Sequence, residues 1–304
     1  MAKAHHINNG SAIKRSPGDQ FVQVLIYVFT GLFALATLLP FLYIVAGSFA
    51  TEKELTQKAF FIFPEEISLN AYRYIIQSGE VFRGLKNSIF VTVVGTAADM
   101  FFTLTFAYPL ARSDFKGRNF WLNVVIVTML FSGGMIPAYL LISNLNLLNS
   151  YAAIILPGVI SAFNLIIVKN FFQGIPKELE EAAKIDGCND LGIFVKIILP
   201  LSKPVIASIS LFYAVGHWND YFNAMLYITD SKKEVVQMVL RRIIFLAGGI
   251  DLNGTPIDYG VNGAPPDKAV KMAATVVATV PILLVYPFIQ RYFTQGVMVG
   301  AVKG

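Results

Sequence analysis

The chain has 304 residues, 55% of them hydrophobic and only 14% charged, with 24 Lys and Arg against 19 Asp and Glu. Soluble domains carry roughly 25% charged residues, so this composition, with a mean hydropathy of +0.61, excludes an ordinary water-soluble globule. The net charge of +5 comes from scattered residues rather than a run long enough for a nucleic-acid groove, and the single Cys188 excludes an internal disulfide.

A hydrocarbon crossing needs about 20 apolar residues. Residues 1–20 form a polar arm with Lys3, Lys14 and Arg15; His5 and His6 belong to it and are read as no metal site. The apolar stretch that follows is too long for a signal-peptide core, so a retained first span is expected over 22–49. A second span is expected over 87–111, where Asp99 is the one formal charge. Residues 119–168 carry no Asp, Glu, Lys or Arg, which is too long for one helix. Ser143, Asn144, Asn146, Asn149 and Ser150 divide it into spans over 120–142 and 151–172. A fifth span, 204–228, contains His217 and Asp220, and a sixth covers 272–290. Between them, the 230–271 loop carries the turn pairs Gly248-Gly249, Asn253-Gly254 and Pro265-Pro266 around a short helical piece near 235–246. Residues 296–304 form a tail too rich in glycine for a stable helix. The fold class is therefore all-α and integral to a membrane, with about six transmembrane helices over 21–295 and no internal repeat.

Basic residues in short loops set orientation. Lys3, Lys14 and Arg15, then Arg112, Lys116 and Arg118, then Lys169, Lys177, Lys184, Lys196 and Lys203, then Arg291 and Lys303 all fall on one side if the spans are six. That side is the cytoplasm, with both termini on it. The 52–86 loop, the 143–150 turn and the 230–271 loop are then outside.

The 175–203 loop carries the most specific local pattern. Pro176 suits an early helix position, and Glu178, Glu180 and Glu181 favour the positive end of the helix dipole. Leu179, Ala182, Ala183 and Asp186 fall on one face, where the paired alanines allow close approach of another surface. Gly187 fits the left-handed position that ends a helix. Asn189 or Asp190 can cap a second helix over 191–198, with Pro200 and Pro204 closing it and turning the chain into the fifth span. Physical patterning alone reads this equally as a solvated loop helix with ordinary caps.

The residues say more than the patterning. Glu181-Ala182-Ala183, Asp186-Gly187, Phe194, Ile197, Leu199-Pro200 and Pro204 together resemble the cytoplasmic EAA loop of binding-protein-dependent ABC importer permeases. Phe106-Ala107-Tyr108-Pro109-Leu110-Ala111-Arg112 with Gly117-Arg118 is similar to the junction of spans 2 and 3 in the maltose-type members. Trp218-Asn219-Asp220-Tyr221 resembles their fifth-span signature, and Gln290-Arg291-Tyr292-Phe293 through Gly300-Ala301-Val302-Lys303-Gly304 their tail. Phe131-Ser132-Gly133-Gly134-Met135-Ile136-Pro137 is similar to the subgroup serving complex oligosaccharides. The resemblance implies a type I ABC importer permease fold in a bacterial cytoplasmic membrane. It implies a second homologous permease subunit, two ATPase subunits beneath, an extracytoplasmic solute-binding protein above, and a sugar or oligosaccharide as cargo. It assigns ATPase docking to Glu181, Ala182, Ala183, Asp186, Gly187, Leu199 and Pro200, with Glu181 as the salt-bridging member. Cys188 stands where that family has another small residue.

No G-x-x-x-x-G-K-[ST] phosphate loop occurs, so ATP and Mg belong to the separate ATPase, and this chain is read as carrying no catalytic residue, metal or cofactor. Asp99 is either a pathway residue or a helix-packing hydrogen bond, since intramembrane carboxylates face protein or water. Trp218, Asn219, Asp220 and Tyr221 offer hydrogen bonds and ring faces to a sugar, or an inter-helix polar network. His217 alone reads as structural, and Gly133-Gly134 as a helix break or a close contact. Three rivals remain: a permease for a non-sugar solute; an ion-coupled secondary transporter, which would show internal repeats; and a membrane-embedded enzyme, for which His217 with Asp220 is too small a catalytic set.

Overall fold

A computed structural model describes residues 17–246 and 268–301. The arm with Lys3, His5, His6, Lys14 and Arg15, the turn pairs at 248–249, 253–254 and 265–266, and residues 302–304 lie outside the described residues. The chain runs α1 Pro17–Ser48, α2 Glu52–Gln57, α3 Asn70–Ser78, α4 Glu80–Ala111, α5 Arg118–Leu130, α6 Met135–Asn144, α7 Tyr151–Ile155 and α8 Ala162–Gln173. It continues through α9 Lys177–Ile185, α10 Asp190–Ile193, α11 Leu199–Leu201, α12 Lys203–Asn219, α13 Phe222–Tyr227, α14 Val236–Leu246 and α15 Lys268–Ala301.

The bundle is organised around α4, which packs against α12, α8 and α14. Its buried residues Val81, Gly84, Ser88, Val91, Gly95 and Asp99 recur every three to four positions, while Phe90, Val93, Phe101 and Phe102 stay exposed. That stripe is mostly small and weakly polar, as expected where helices meet in lipid and gain by close backbone approach rather than by escaping water. A Cβ on Gly84 would sit 3.1 Å from Val236 Cα. Ser88 Oγ accepts the Val236 N–H at 2.9 Å, and Asn87 donates to the carbonyls of Lys232 and Glu234. Three α4 side positions thus fix the start of α14. By contrast, α1 is exposed over 18–40 and meets the bundle only near its end, where Gly47 lies against Met272 of α15.

Among the described residues, three helices are long and apolar enough to cross a membrane: α1, α4 and the 268–285 part of α15. Three bent pairs complete a count of six. The expected third span, 120–142, is two helices bent by 114° at residues 131–134. Gly134 there has φ +86°, a left-handed geometry that glycine adopts without strain. The fourth, 151–172, bends by 51° between Gly158 and Ala162. The fifth stops at Asn219, and a separate α13 follows. The dividing polar turn forms as expected, with Asn146 and Asn149 both at positive φ. Asn149 then receives hydrogen bonds from Thr229 and Asp230 N–H, tying that turn to the exit of the fifth span. The 235–246 helical piece is α14.

Two expectations fail. The glycine-rich tail was read as non-helical from 296, yet α15 continues to Ala301. Two helix-interior glycines, Gly296 and Gly300, cost about 1 kcal/mol each, and extending an existing helix needs no new nucleus. Pro200 and Pro204 do not close a helix over 191–198. Pro200 sits in the first turn of α11, and Pro204 in the first turn of α12 beyond an 81° bend. The wide π turn Phe194–Ile198 immediately before Pro200 accommodates a residue that cannot donate.

Candidate functional site

The loop between α8 and α12 is a hairpin of two short helices. Its turn is a complete Schellman closure: Cys188 N–H donates to Ala183 O at 2.9 Å, and Gly187 N–H to Lys184 O at 3.0 Å. Gly187 has φ +81°, where any other side chain would strain the backbone. Asn189 Oδ1 accepts the Gly192 N–H at 2.8 Å and so caps α10. Cys188 packs against the buried cluster that contains Ala183. A small thiol there serves as a small apolar residue.

The hairpin is two-sided. Ala183, Ile193, Phe194 and Ile198 are buried in one cluster with Ala107, Leu110 and Val168, which fastens it to the bundle. Glu181, Ala182, Asp186 and Gly187 are exposed. The four-residue face read from periodicity therefore divides: Ala183 turns inward, while Leu179, Ala182 and Asp186 face out. Leu199 packs inward and Pro200 is exposed. Ile185, 87% exposed, and Leu191, 69% exposed, stand at the tip. Large apolar residues thus stand beside charge on the exposed side of the hairpin.

Arg112 holds this hairpin to the loop after α4. It donates to both carboxylate oxygens of Asp114, at 3.1 and 2.8 Å, and to Asp190. Its guanidinium lies over the Tyr108 ring, which stacks on Phe194 at 4.9 Å. The hydrogen bonds with Asp114 raise the Arg112 pKa further above its usual value, and Arg112 holds the Asp114 carboxyl below the usual carboxylate range. Arg112, Lys177, Glu180, Glu181 and Lys184 line one cleft of about 360 Å³ between the two loops. In the sequence Arg112 stands out as orienting charge and as the end of the Phe106–Arg112 junction motif; the available signal for its tie was an Asp two residues on. Ile185 and Leu191 had no signal beyond their hydrophobicity, because their exposure depends on which side of the hairpin meets the bundle.

Within the bundle, Asp99 is 1% exposed and its Oδ2 is hydrogen-bonded to His217 Nε2 at 2.7 Å, joining α4 to α12. One turn above Asp99 on α4, Gly95 makes the room: a Cβ there would lie 2.5 Å from the same His217 nitrogen. Thr103 and Tyr213 form a second link between the same helices at 2.7 Å. Nothing in the chain pairs His217 with Asp99 or singles out Gly95, since His217 lies more than a hundred residues from the other two. The Trp218–Tyr221 group is divided by the break after α12. Trp218 is buried in the core cluster around α15. Asn219 is exposed and donates to Val215 O, and Asp220, the C-cap of α12, accepts from Asn223 N–H and Nδ2 in the first turn of α13. Tyr221 lines a cavity with Arg241 of α14.

With this geometry in hand, residues 10–299 match the family described as binding-protein-dependent transport system inner membrane component. The chain belongs to that family. It is a membrane-embedded transport subunit, an ABC importer permease and not an enzyme. It is 54% identical to Protein LplC of Bacillus subtilis (strain 168) over the full length of both chains. It is 52% identical to the polygalacturonan/rhamnogalacturonan transport system permease protein YtcP of the same organism, covering 94% of this chain and 99% of that one. A chain in the crystal structure of a bacterial ABC transporter involved in the import of the acidic polysaccharide alginate superposes with a TM-score of 0.82 at 32% identity, covering 92% of this permease and 99% of that chain. The bent spans of the permease therefore belong to a known importer architecture.

Proposed function

We propose that this permease carries a sugar or oligosaccharide, including the breakdown products of polysaccharides, inward across a bacterial cytoplasmic membrane by alternating access. It would act with a second homologous permease subunit, two ATPase subunits that bind ATP and Mg, and an extracytoplasmic solute-binding protein. The observation that carries the coupling role is the two-sided hairpin: one side is buried in the bundle, and the other presents Glu181, Ala182, Asp186, Gly187 and the protruding Ile185. A lever needs both a rigid root and an exposed grip. Closure of the ATPase pair would move the hairpin and, through Phe194 and Arg112, the ends of α4 and α12. Sugar as cargo is supported by the polygalacturonan/rhamnogalacturonan transport of YtcP and by the alginate import of the structural neighbour. The basic-residue bias supports termini and hairpin in the cytoplasm.

The test is disulfide cross-linking in the assembled importer. A cysteine replacing Ile185, in a Cys188→Ala background, should cross-link to a cysteine in the ATPase groove, with yield changing when ATP is trapped. Labelling of that cysteine by a membrane-impermeant reagent from outside intact cells would refute the assignment.

A further inference from the structure

We propose that Arg241 is a carboxylate-recognition residue, so that the cargo is an acidic saccharide; this rests on the sugar-import reading above. Two neighbouring arginines on α14 are used differently. Arg242 is engaged by Glu234 at 3.1 Å and by Glu80 at 3.2 Å. Arg241 has no acidic partner among the described residues. Its guanidinium instead lies 4.5 Å from the Tyr221 ring centroid and 5.0 Å from that of Phe245, and among the described residues its one hydrogen-bond contact is a long 3.9 Å approach to Met225 Sδ. Two aromatic rings hold the cation in place without neutralising it. Its planar fork of five donors then remains free to meet a carboxylate with two parallel bonds.

The position suits a ligand. Arg241 lines a cavity of about 210 Å³ with Tyr221, Met225, Glu234, Met238 and Arg242. Glu234 is the acid in that lining and is paired with Arg242, so among the lining charges Arg241 is the one without a direct carboxylate partner among the described residues. Tyr221 places a ring at the same mouth, immediately after the break that ends α12. A guanidinium stacked on Tyr221 keeps its donor edge for a carboxylate, the group that distinguishes a uronic acid from a neutral sugar. A neutral sugar would leave the cation unmatched. Its lining residue Glu234 ends the 228–234 segment, which Asn149 of the 143–150 turn holds through Thr229, Asp230 and Lys233, on the side where charge bias predicts the solute-binding protein.

The experiment uses the complete importer in proteoliposomes with saturating loaded binding protein. It compares trigalacturonate with its fully methyl-esterified form, which keeps the skeleton and removes the charge. Arg241→Gln should lower the maximal uptake of trigalacturonate about tenfold relative to the ester, the size expected for one lost charge-assisted contact. Arg241→Lys, which keeps charge but loses the fork, should fall between. Equal losses for both saccharides would overturn the proposal and indicate docking of an acidic side chain of the binding protein. No loss for either, or wild-type uptake of the ester alone, would also overturn it. Failure of the wild type to carry these two and neutral maltotriose would remove the sugar reading itself, and the proposal with it. Co-purification of the second permease and the ATPase monitors assembly; should the Gln variant not assemble, the Lys variant decides by the same ratio.

Discussion

The 175–203 hairpin and the polar break at 218–221 both interrupt the apolar bundle, yet they are held together in different ways. The hairpin is built from contacts a few residues apart: the Gly187 turn closes onto Ala183 and Lys184, and Asn189 caps the helix three residues on. The break is defined by partners far along the chain: His217 by Asp99 and Gly95 of α4, and Tyr221 by Arg241 of α14. A locally determined element can move as a unit while keeping its shape, which suits a lever. A site assembled from three helices changes whenever those helices move, which suits a gate or a binding position.

The strongest way to break this contrast is at the exposed side of the hairpin. Glu181→Lys should leave the permease folded and inserted while weakening ATPase docking by about 2 kcal/mol or more, roughly thirtyfold, because a charge-assisted contact becomes a repulsion. Co-purification of the ATPase and ATP-dependent uptake measure it; unchanged values would show that the exposed side is not the grip.

A smaller effect, and one on stability rather than coupling, is expected within the bundle. Gly95→Ala puts a methyl against the His217 imidazole and should destabilise the purified subunit by about 1–3 kcal/mol, read as a lower unfolding temperature in detergent. Asp99→Asn keeps a partner for His217 and should be milder. Equal unfolding temperatures for Gly95→Ala and wild type would mean that α4 and α12 can separate there without penalty.

The smallest effect concerns the root of the hairpin. Asp114 is held below the usual carboxylate range by Arg112, so its contribution to stability is present above the ordinary carboxyl value and is lost as pH falls through the lowered one. The Asp114 side chain is 64% exposed, so this contribution should stay below about 1 kcal/mol. Asp114→Asn should lower thermal stability slightly near neutrality and flatten the acid-side loss below about pH 5, so that variant and wild type converge in acid. An identical acid-side slope in the variant would place the acid sensitivity elsewhere.

The class of fold and the hairpin were legible because their rules are short-ranged. Charge-free stretches of about 20 residues mark crossings, and Pro, Gly and Asn mark helix ends within one turn. Span straightness was not legible. The 114° bend at 131–134 has a local licence in Gly133-Gly134, but nothing in those residues fixes its angle, which is set by what α5 and α6 pack against. Likewise, Trp218 and Tyr221 looked like one cluster in the chain; the helix break after Asn219 sends one into the core and the other to the Arg241 cavity.

By itself, the sequence determined that this chain lives in lipid, about how often it crosses, and where its protruding hairpin turns, because hydropathy, end caps and a left-handed glycine act within a few residues of themselves. Only the tertiary structure decided that Asp99 meets His217, that Arg112 ties two loops together, and that Arg241 is held by aromatic rings while Arg242 is spent on carboxylates. Those outcomes depend on which helices become neighbours, and a pairing between residues more than a hundred positions apart, such as Asp99 and His217, leaves no periodic trace in the chain.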